Sequence, residues 1–336
     1  MFVKRLGRDL YYWWAELTGR LRSREAAMAG ALTVLTYHRV LPDAESRKCP
    51  FRSLAMPESW FRQQMTWLQR NARVLPLDRA LAALGSDPGP RPLVAVTFDD
   101  GYADNFEVAA PILRECGLQA SFFICTDPVR NASHFWYDSI AEGTLRWGRE
   151  DLKRHLASGG ELPENASSAH SIVAALKLWP DKVRRAAVEE VERRLGRDAW
   201  IYRSDVMTPD RVRELASGGH EIGSHTETHP IVPQLEEPAA IAELRNSKSW
   251  LEQTTGRTVS GFCYPNGDHT PATREWVTQA GYSYACLTEE GHHRPGLDPF
   301  RIRRIDVAPH RVGSFLRKPS ERSFRAVVSR IRARPS

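Results

Sequence analysis

Leu93-Val94-Ala95-Val96-Thr97-Phe98-Asp99-Asp100-Gly101-Tyr102 is the stretch from which the fold can be read. Its first six residues are apolar or β-branched with no polar alternation, the pattern of a strand buried on both faces of a parallel sheet. Two adjacent carboxylates follow at the C-terminal end, then a glycine that permits a tight turn. Similar short runs lie at 31–37, 119–124, 220–224, 258–264, 282–287 and 302–307. Helical patterns separate them. Residues 57–70 set Trp60, Phe61, Met65 and Leu68 on one stripe, and further helices are predicted over 104–115, from Thr208-Pro209 to Gly218, and over 238–254. Another is predicted over 270–280, with Thr270 as cap and Pro271 in the first turn. Strands alternating with helices predict an α/β fold with a parallel sheet, most simply closed as a barrel.

One stretch breaks this rhythm. Residues 127–207 hold no convincing strand, while 150–157 and 168–195 read as charged helices, too much chain for a βα loop. A helical insertion over one end of the barrel, or a small lid, is expected there. The organisation predicted is an N-terminal amphipathic helix over 1–30, a barrel over 31–310 carrying the insertion, and a basic tail over 311–336.

Composition narrows the function. The 336 residues suit two domains or one α/β barrel with insertions, and 41% hydrophobic with 26% charged residues exclude disorder and collagen-like structure. No apolar run approaches the ~18 residues that cross a bilayer. The five cysteines are scattered without a CxxC pair, which argues against a disulfide framework or an all-cysteine zinc site and suits a reducing, cytoplasmic compartment. Residues 1–25 carry six basic and three acidic side chains and 301–336 carry eleven and two, so the ends hold +12 of a net +6 and the body −6. A body of that sign repels nucleic acid, and no nucleic-acid partner is expected. Ala26–Leu35 resembles a signal-peptide core, but no small-residue cleavage site follows, and the run reads as a buried strand.

Three strand ends carry residues that can do chemistry. Asp99 and Asp100 cannot both ionise cheaply without a positive partner, and a metal bound by one leaves the other free as a base. Taken alone, Asp-Asp-Gly also reads as a solvated turn capping the next helix. His225 and His229 follow a second strand. Thr226 stands where a zincin protease needs glutamate, and Pro230 discourages a helix carrying both. A strand end and its loop can still bring two imidazoles onto one cation, which with the aspartates gives a site of two histidines and one aspartate. Tyr264-Pro265-Asn266-Gly267, after a third strand, presents an aromatic face and backbone N–H donors suited to an oxyanion, or forms an ordinary β-turn.

Thr97–Tyr102, His225–His229 and Phe262–Gly267, in this order and spacing, resemble the motifs of the NodB-type polysaccharide deacetylases, carbohydrate esterase family four. The third is in the form found in the bacterial exopolysaccharide and poly-N-acetylglucosamine deacetylase branch. The resemblance spans about 31–307. It implies a distorted (β/α)7 barrel that removes acetyl groups from N-acetylated sugars with zinc or a related divalent metal. On these motifs Asp100, His225 and His229 match the metal ligands and Asp99 the general base. The Asn266 backbone N–H matches the oxyanion donor, with Tyr264 and Pro265 shaping the groove. Cys263 stands where many members carry the arginine that holds the base, leaving Arg301, Arg303 and Arg304 as candidate substitutes. Asn266 replaces an aromatic residue. The last strand lacks the usual acid histidine, whereas Thr36-Tyr37-His38-Arg39-Val40 resembles the Tyr-His element of the exopolysaccharide branch. His38 is therefore the expected acid, with His292 and His293 as rivals. Two other readings stand beside this one: an inactive glycan-binding homologue, and an amidohydrolase acting on a non-sugar amide.

The ends suggest a location. Phe2, Leu6, Leu10, Trp13, Trp14, Leu17 and Leu21 recur at helical spacing among Lys4, Arg5, Arg8 and Arg20, as in a basic helix lying in a membrane interface. The C-terminal stretch adds Arg325, Arg330, Arg332 and Arg334 around Val327, Val328 and Ile331. Peripheral contact with the inner membrane face through both ends is expected, which would suit a lipid-linked sugar substrate. The alternative is that both ends pack on the barrel.

Overall fold

Strand β1 (Leu32–Tyr37) and strand β2 (Leu93–Phe98) are buried along their whole length, as unbroken apolar runs require. They pair in parallel from Leu32 opposite Leu93 to Tyr37 opposite Phe98. The sheet continues through β3 (Ser121–Ile124), β4 (Glu221–Ser224), β5 (Gly261–Cys263) and β6 (Tyr284–Cys286), each parallel to the one before. Strand β7 (Ile305–Asp306) returns to β1, with Leu35 opposite Ile305 and Thr36 opposite Asp306, while Ile302 bridges Cys286 of β6. Residues 302–306 thus touch both free edges of the sheet, and the result is a distorted (β/α)7 barrel, the α/β fold expected. The structure is a computed structural model and describes residues 2–331 other than 88, 197–199 and 203; the side chains of residues 2, 3 and 158 also lie outside it.

The predicted helices form with small shifts. Glu58–Asn71 buries Phe61, Met65 and Leu68, with Trp60 half-buried beside them. Thr208 and Thr270 cap their helices, accepting the N–H groups of Arg211 and Thr273. The segment predicted as one helix over 104–115 begins instead with a π-helical turn, Asn105–Ala109, before Ala110–Glu115. Pro111 has no N–H to return to residue 107, so the first turn widens. A helix at Leu77–Ser86 was not predicted.

Within 127–207 the described residues form helices and no strand. Trp136–Leu156, kinked where Gly148 takes a φ of 74°, packs with Ala169–Leu176 and Asp181–Leu195 around Ile140, Leu152, Ile172, Leu176, Val188 and Val191. This core is separate from the one inside the barrel layers, where Phe98 stacks on Phe122 at 4.8 Å. Tyr102 joins the two: it bridges Val206, and its hydroxyl donates to Asp138 Oδ2 at 2.9 Å.

The two termini meet each other. Helices α1 (Phe2–Leu17) and α2 (Arg20–Ala26) are broken at Gly19, whose φ is 73°. Tyr12, Ala15 and Leu21 pack against Ala326 and Ile331 of the C-terminal region. This corrects the expectation of a single membrane-facing stripe, because Leu21 is buried inside the protein and Leu6 is half-buried. In the C-terminal helix Glu321–Val328, Phe324, Val327 and Val328 are buried, and Ile331 beyond it is also buried. Arg325 is bonded to Glu16 and Glu25. The apolar side of that stretch therefore points inward; Arg332 and Arg334 lie outside the described residues. No described helix is long and apolar enough to cross a membrane.

Candidate active site

The C-terminal ends of β1, β2, β4, β5 and β7 deliver His38, Asp99 with Asp100, His225, Tyr264 and Asp306 to one rim of the barrel. Asp100 has a φ of 77°, and Gly101 one of 101° with Ile124 packed where a Cβ would sit. That turn sends the two adjacent carboxylates in different directions. Asp100 Oδ1 lies 3.6 Å from His225 Nε2 and 3.4 Å from His229 Nε2. The ligand-capable atoms of these three residues all lie within 4.8 Å of one another, and Asp100 and His225 are buried.

The donor set fits a cation. His225 Nδ1 lies 2.8 Å from the Cys263 carbonyl, which only an Nδ1–H can satisfy, so neutral His225 turns a bare Nε2 toward Asp100. Burial pushes the His225 pKa down to about 4 and favours that neutral form, the charge of His229 adding to the effect against the pull of the aspartates. A lone pair facing a carboxylate oxygen is unfavourable unless something positive lies between them. The residues present therefore suit a divalent metal with one side left open.

His229 is positioned by its loop. Its N–H donates to Thr226 Oγ1 at 3.0 Å, and its ring meets those of Tyr137 and Phe135 edge-on at 5.3 and 5.9 Å. Glu243, from the helix Glu237–Thr255, accepts the N–H groups of Glu227 and Thr228, both at 2.9 Å, and the Thr228 hydroxyl at 2.6 Å. Sequence reading missed Glu243, which lies in an ordinary amphipathic pattern.

Asp99 is held differently. Arg304 Nη1 and Nη2 donate to Asp99 Oδ1 and Oδ2, both at 2.7 Å, in a bidentate pair. Arg304 is itself buried, donating further to the Leu287 carbonyl at 3.0 Å and approaching Cys263 Sγ at 3.0 Å. Burial alone would raise the Asp99 pKa, but the Arg304 guanidinium outweighs it and keeps the carboxyl below its ordinary value. Of the three candidate arginines, Arg304 thus fills the space beside Cys263. Arg301 and Arg303 point to Glu289 and the His292 carbonyl.

His38 Nε2 stands 4.0 Å from Asp99 Oδ2. Its neighbours fix the backbone: Asn105 Nδ2 donates to the His38 carbonyl at 2.7 Å, and buried Arg39 and the Val40 N–H bind Asp104. His292 and His293 pair with Thr33 and Leu32, at the start of β1, and so lie at the opposite end of the barrel from His38. They are not rivals for the acid.

At the third strand end Tyr264 departs from expectation. It is 1% exposed, packed on Phe262 at 5.0 Å, and turns into the core instead of offering its face to a groove. The reason is its position next to β5, where the apolar ring gains more from burial than from solvent. Pro265 is buried as well. Asn266, at a φ of 62°, is exposed, and its Oδ1 accepts from Lys177 Nζ at 2.7 Å. Lys177 comes from the helical insertion, so the insertion reaches this rim. An open cleft of about 1040 Å³ lies beside His229, lined by Trp136, Arg184 and Trp200 among others.

Comparison with known proteins shows the family and the fold. A protein-family model described as polysaccharide deacetylase matches residues 86–285. YxkH of Bacillus subtilis (strain 168), whose name provisionally places it among the polysaccharide deacetylases, is 21% identical over 84% of this chain and 74% of its own. Among solved structures, the Streptococcus pyogenes deacetylase PplD in complex with acetate superposes with a TM-score of 0.57 at 17% identity, covering 85% of this chain and 96% of that one. IcaB from Ammonifex degensii gives 0.56 at 20% identity, covering 89% and 97%. The family match takes in more than half of the chain, which belongs to the polysaccharide deacetylases, hydrolases that remove acetyl groups from N-acetylated glycans.

Proposed function

We propose that this chain hydrolyses the N-acetyl group of an N-acetylated sugar in a polysaccharide or lipid-linked glycan, with a divalent metal, zinc by its donor set, held by Asp100, His225 and His229. The observation that carries the reading is the pair of unlike aspartates: Asp99 is clamped by Arg304, while its neighbour Asp100 faces two histidines. When bound, the metal would polarise the acetamide carbonyl and acidify water. Asp99, ionised and fixed in direction, takes a proton from the attacking water. The Asn266 backbone N–H donates to the developing oxyanion. His38 gives a proton to the nitrogen as the C–N bond breaks, so that the amine and not the hydroxyl departs. Acetate and a free amino sugar result.

The clamp also bears on the inactive-homologue reading: Cys263 stands where many members carry an arginine, and Arg304, just before β7, brings a guanidinium beside Cys263 and onto Asp99. Acetate release from N-acetylglucosamine oligomers is the test. Turnover should vanish with a chelator and return with zinc, and Asp100→Asn should lose both metal and turnover. A mutant that keeps full metal content by elemental analysis would overturn the ligand set. Acetate from simple acetamides but not from sugars would favour the amidohydrolase.

A further inference from the structure

We infer that the outward face of α1 docks on an anionic lipid surface. Leu10, Trp13, Trp14 and Leu17, at i, i+3, i+4 and i+7, form one stripe and are 57%, 50%, 43% and 65% exposed. The opposite face of the helix is already occupied, with Tyr12 and Ala15 in the contact to Ala326 and Ile331. The stripe is thus fixed in orientation by the fold and left over after packing.

Charge is sorted in the same sense. All three acids of residues 1–25 turn to the protein: Asp9 accepts the Phe315 N–H at 2.7 Å, Glu16 binds Arg322 and Arg325, and Glu25 binds Arg325 at 2.7 and 2.9 Å. Lys4, Arg20, Arg22 and Arg24 are exposed, and among the described residues none of them is in an ion pair. The Arg20 guanidinium lies 5.2 Å over the Trp14 ring, at the edge of the stripe. An apolar stripe bearing two tryptophans, with Arg20 against it and further exposed cations in the same terminal segment, matches an anionic headgroup layer, where tryptophan settles at the interface and each basic residue strengthens binding. A second copy of the chain fits poorly, because a two-fold contact through this face would set Arg20 and its neighbours against their own copies.

The inference is independent of the catalytic reading, and its test needs no turnover. The full chain is floated with phosphatidylcholine vesicles with and without phosphatidylglycerol, at low and high salt. It should rise with the anionic vesicles at low salt and stay behind with the neutral ones. Arg20→Gln with Arg24→Gln should weaken binding about fivefold per charge removed. Trp13→Ser with Trp14→Ser should abolish flotation with no fall in thermal midpoint, whereas Ile201→Ser, at an exposed apolar residue elsewhere, should float like the parent. Absence of flotation, or equal flotation of the tryptophan variant, overturns the inference. So does light scattering that shows a parent dimer made monomeric by that variant, because a second copy would then cover the stripe.

Discussion

Arg304 reaches Asp99 across the barrel because it shares an inward face with Ile302, two residues earlier, while Arg301 and Arg303 alternate outward. Strand parity therefore holds the signal that separates the three arginines, and it needs only one inward neighbour to set the phase. The clamp makes a split prediction. Arg304→Lys keeps a charge but not the planar fork, so kcat should fall about 10–100-fold with metal content and KM little changed, the loss expected of a misdirected base. Arg304→Met leaves a buried carboxylate alone and should cost about 3–5 kcal/mol in urea unfolding. If the lysine variant kept full kcat, Asp99 would not depend on its direction. A second buried acid behaves oppositely. Burial raises the Asp138 pKa to about 8, against the pull of Arg39 and the hydrogen bond from Tyr102. Between about pH 4 and 8 the unfolded chain then gives up this proton while the folded one keeps it. Stability from neutral Asp138 is whole below that window and shrinks as pH rises through it. Asp138→Asn, neutral throughout and still able to accept from Tyr102, should gain on the parent as pH climbs from about 5 to 8, read as the difference in urea midpoints; a constant difference would mean that Asp138 is ionised across the range.

The helical insertion and the loop after β4 show where pattern reading stops. Short, mostly apolar runs between turn residues mark the strands because both faces are buried, and polar residues inside them such as Thr33, Ser121 and Ser224 are small. In the insertion the apolar positions are set by three helices packing on one another, and nothing local tells which of Phe135, Trp136 and Tyr137 points to the cleft. The structure tells them apart by burial: Phe135 and Tyr137 are buried and flank His229, Phe135 also bordering the cleft, whereas Trp136 is half-buried in the cleft wall and carries Arg184 over its ring at 5.2 Å. Glu243 escaped notice for a related reason, since its partners are backbone N–H groups that no side-chain pattern announces. The proposed metal ligands Asp100, His225 and His229 were legible as candidates because carboxylates and imidazoles recur at the C-terminal strand ends, where a parallel barrel gathers its site. Trp136→Ala tests the cleft. If sugar stacks there, KM for oligomers should rise several-fold, more for longer chains, with kcat nearly unchanged and only a small loss of stability. A large fall in thermal midpoint with unaltered kinetics would return Trp136 to packing alone.

Over the whole chain the order of elements puts closure at the end: 302–306 fills the gap between β6 and β1, and both Arg304 and Asp306 arrive with it. The chain that follows then turns back over α1 and α2, so the first and last helices are held by one another through Tyr12, Ala15, Leu21, Ala326 and Ile331 and through Arg325 between Glu16 and Glu25. Amphipathicity predicted that the N-terminal segment has an apolar side; it could not show that the segment has two, one used in folding and one left outside. Two leucines four residues apart separate these uses. Leu21 is fully buried, and truncation to alanine removes packed methyl groups and leaves a cavity, for a loss of about 2–5 kcal/mol. Leu17 has no such surroundings, and Leu17→Ala should stay within about 0.5 kcal/mol of the parent. Urea unfolding of the two variants measures this directly. Equal, small losses would mean that α2 is not docked on the C-terminal helix in solution, and the orientation of the α1 stripe would lose its support with it.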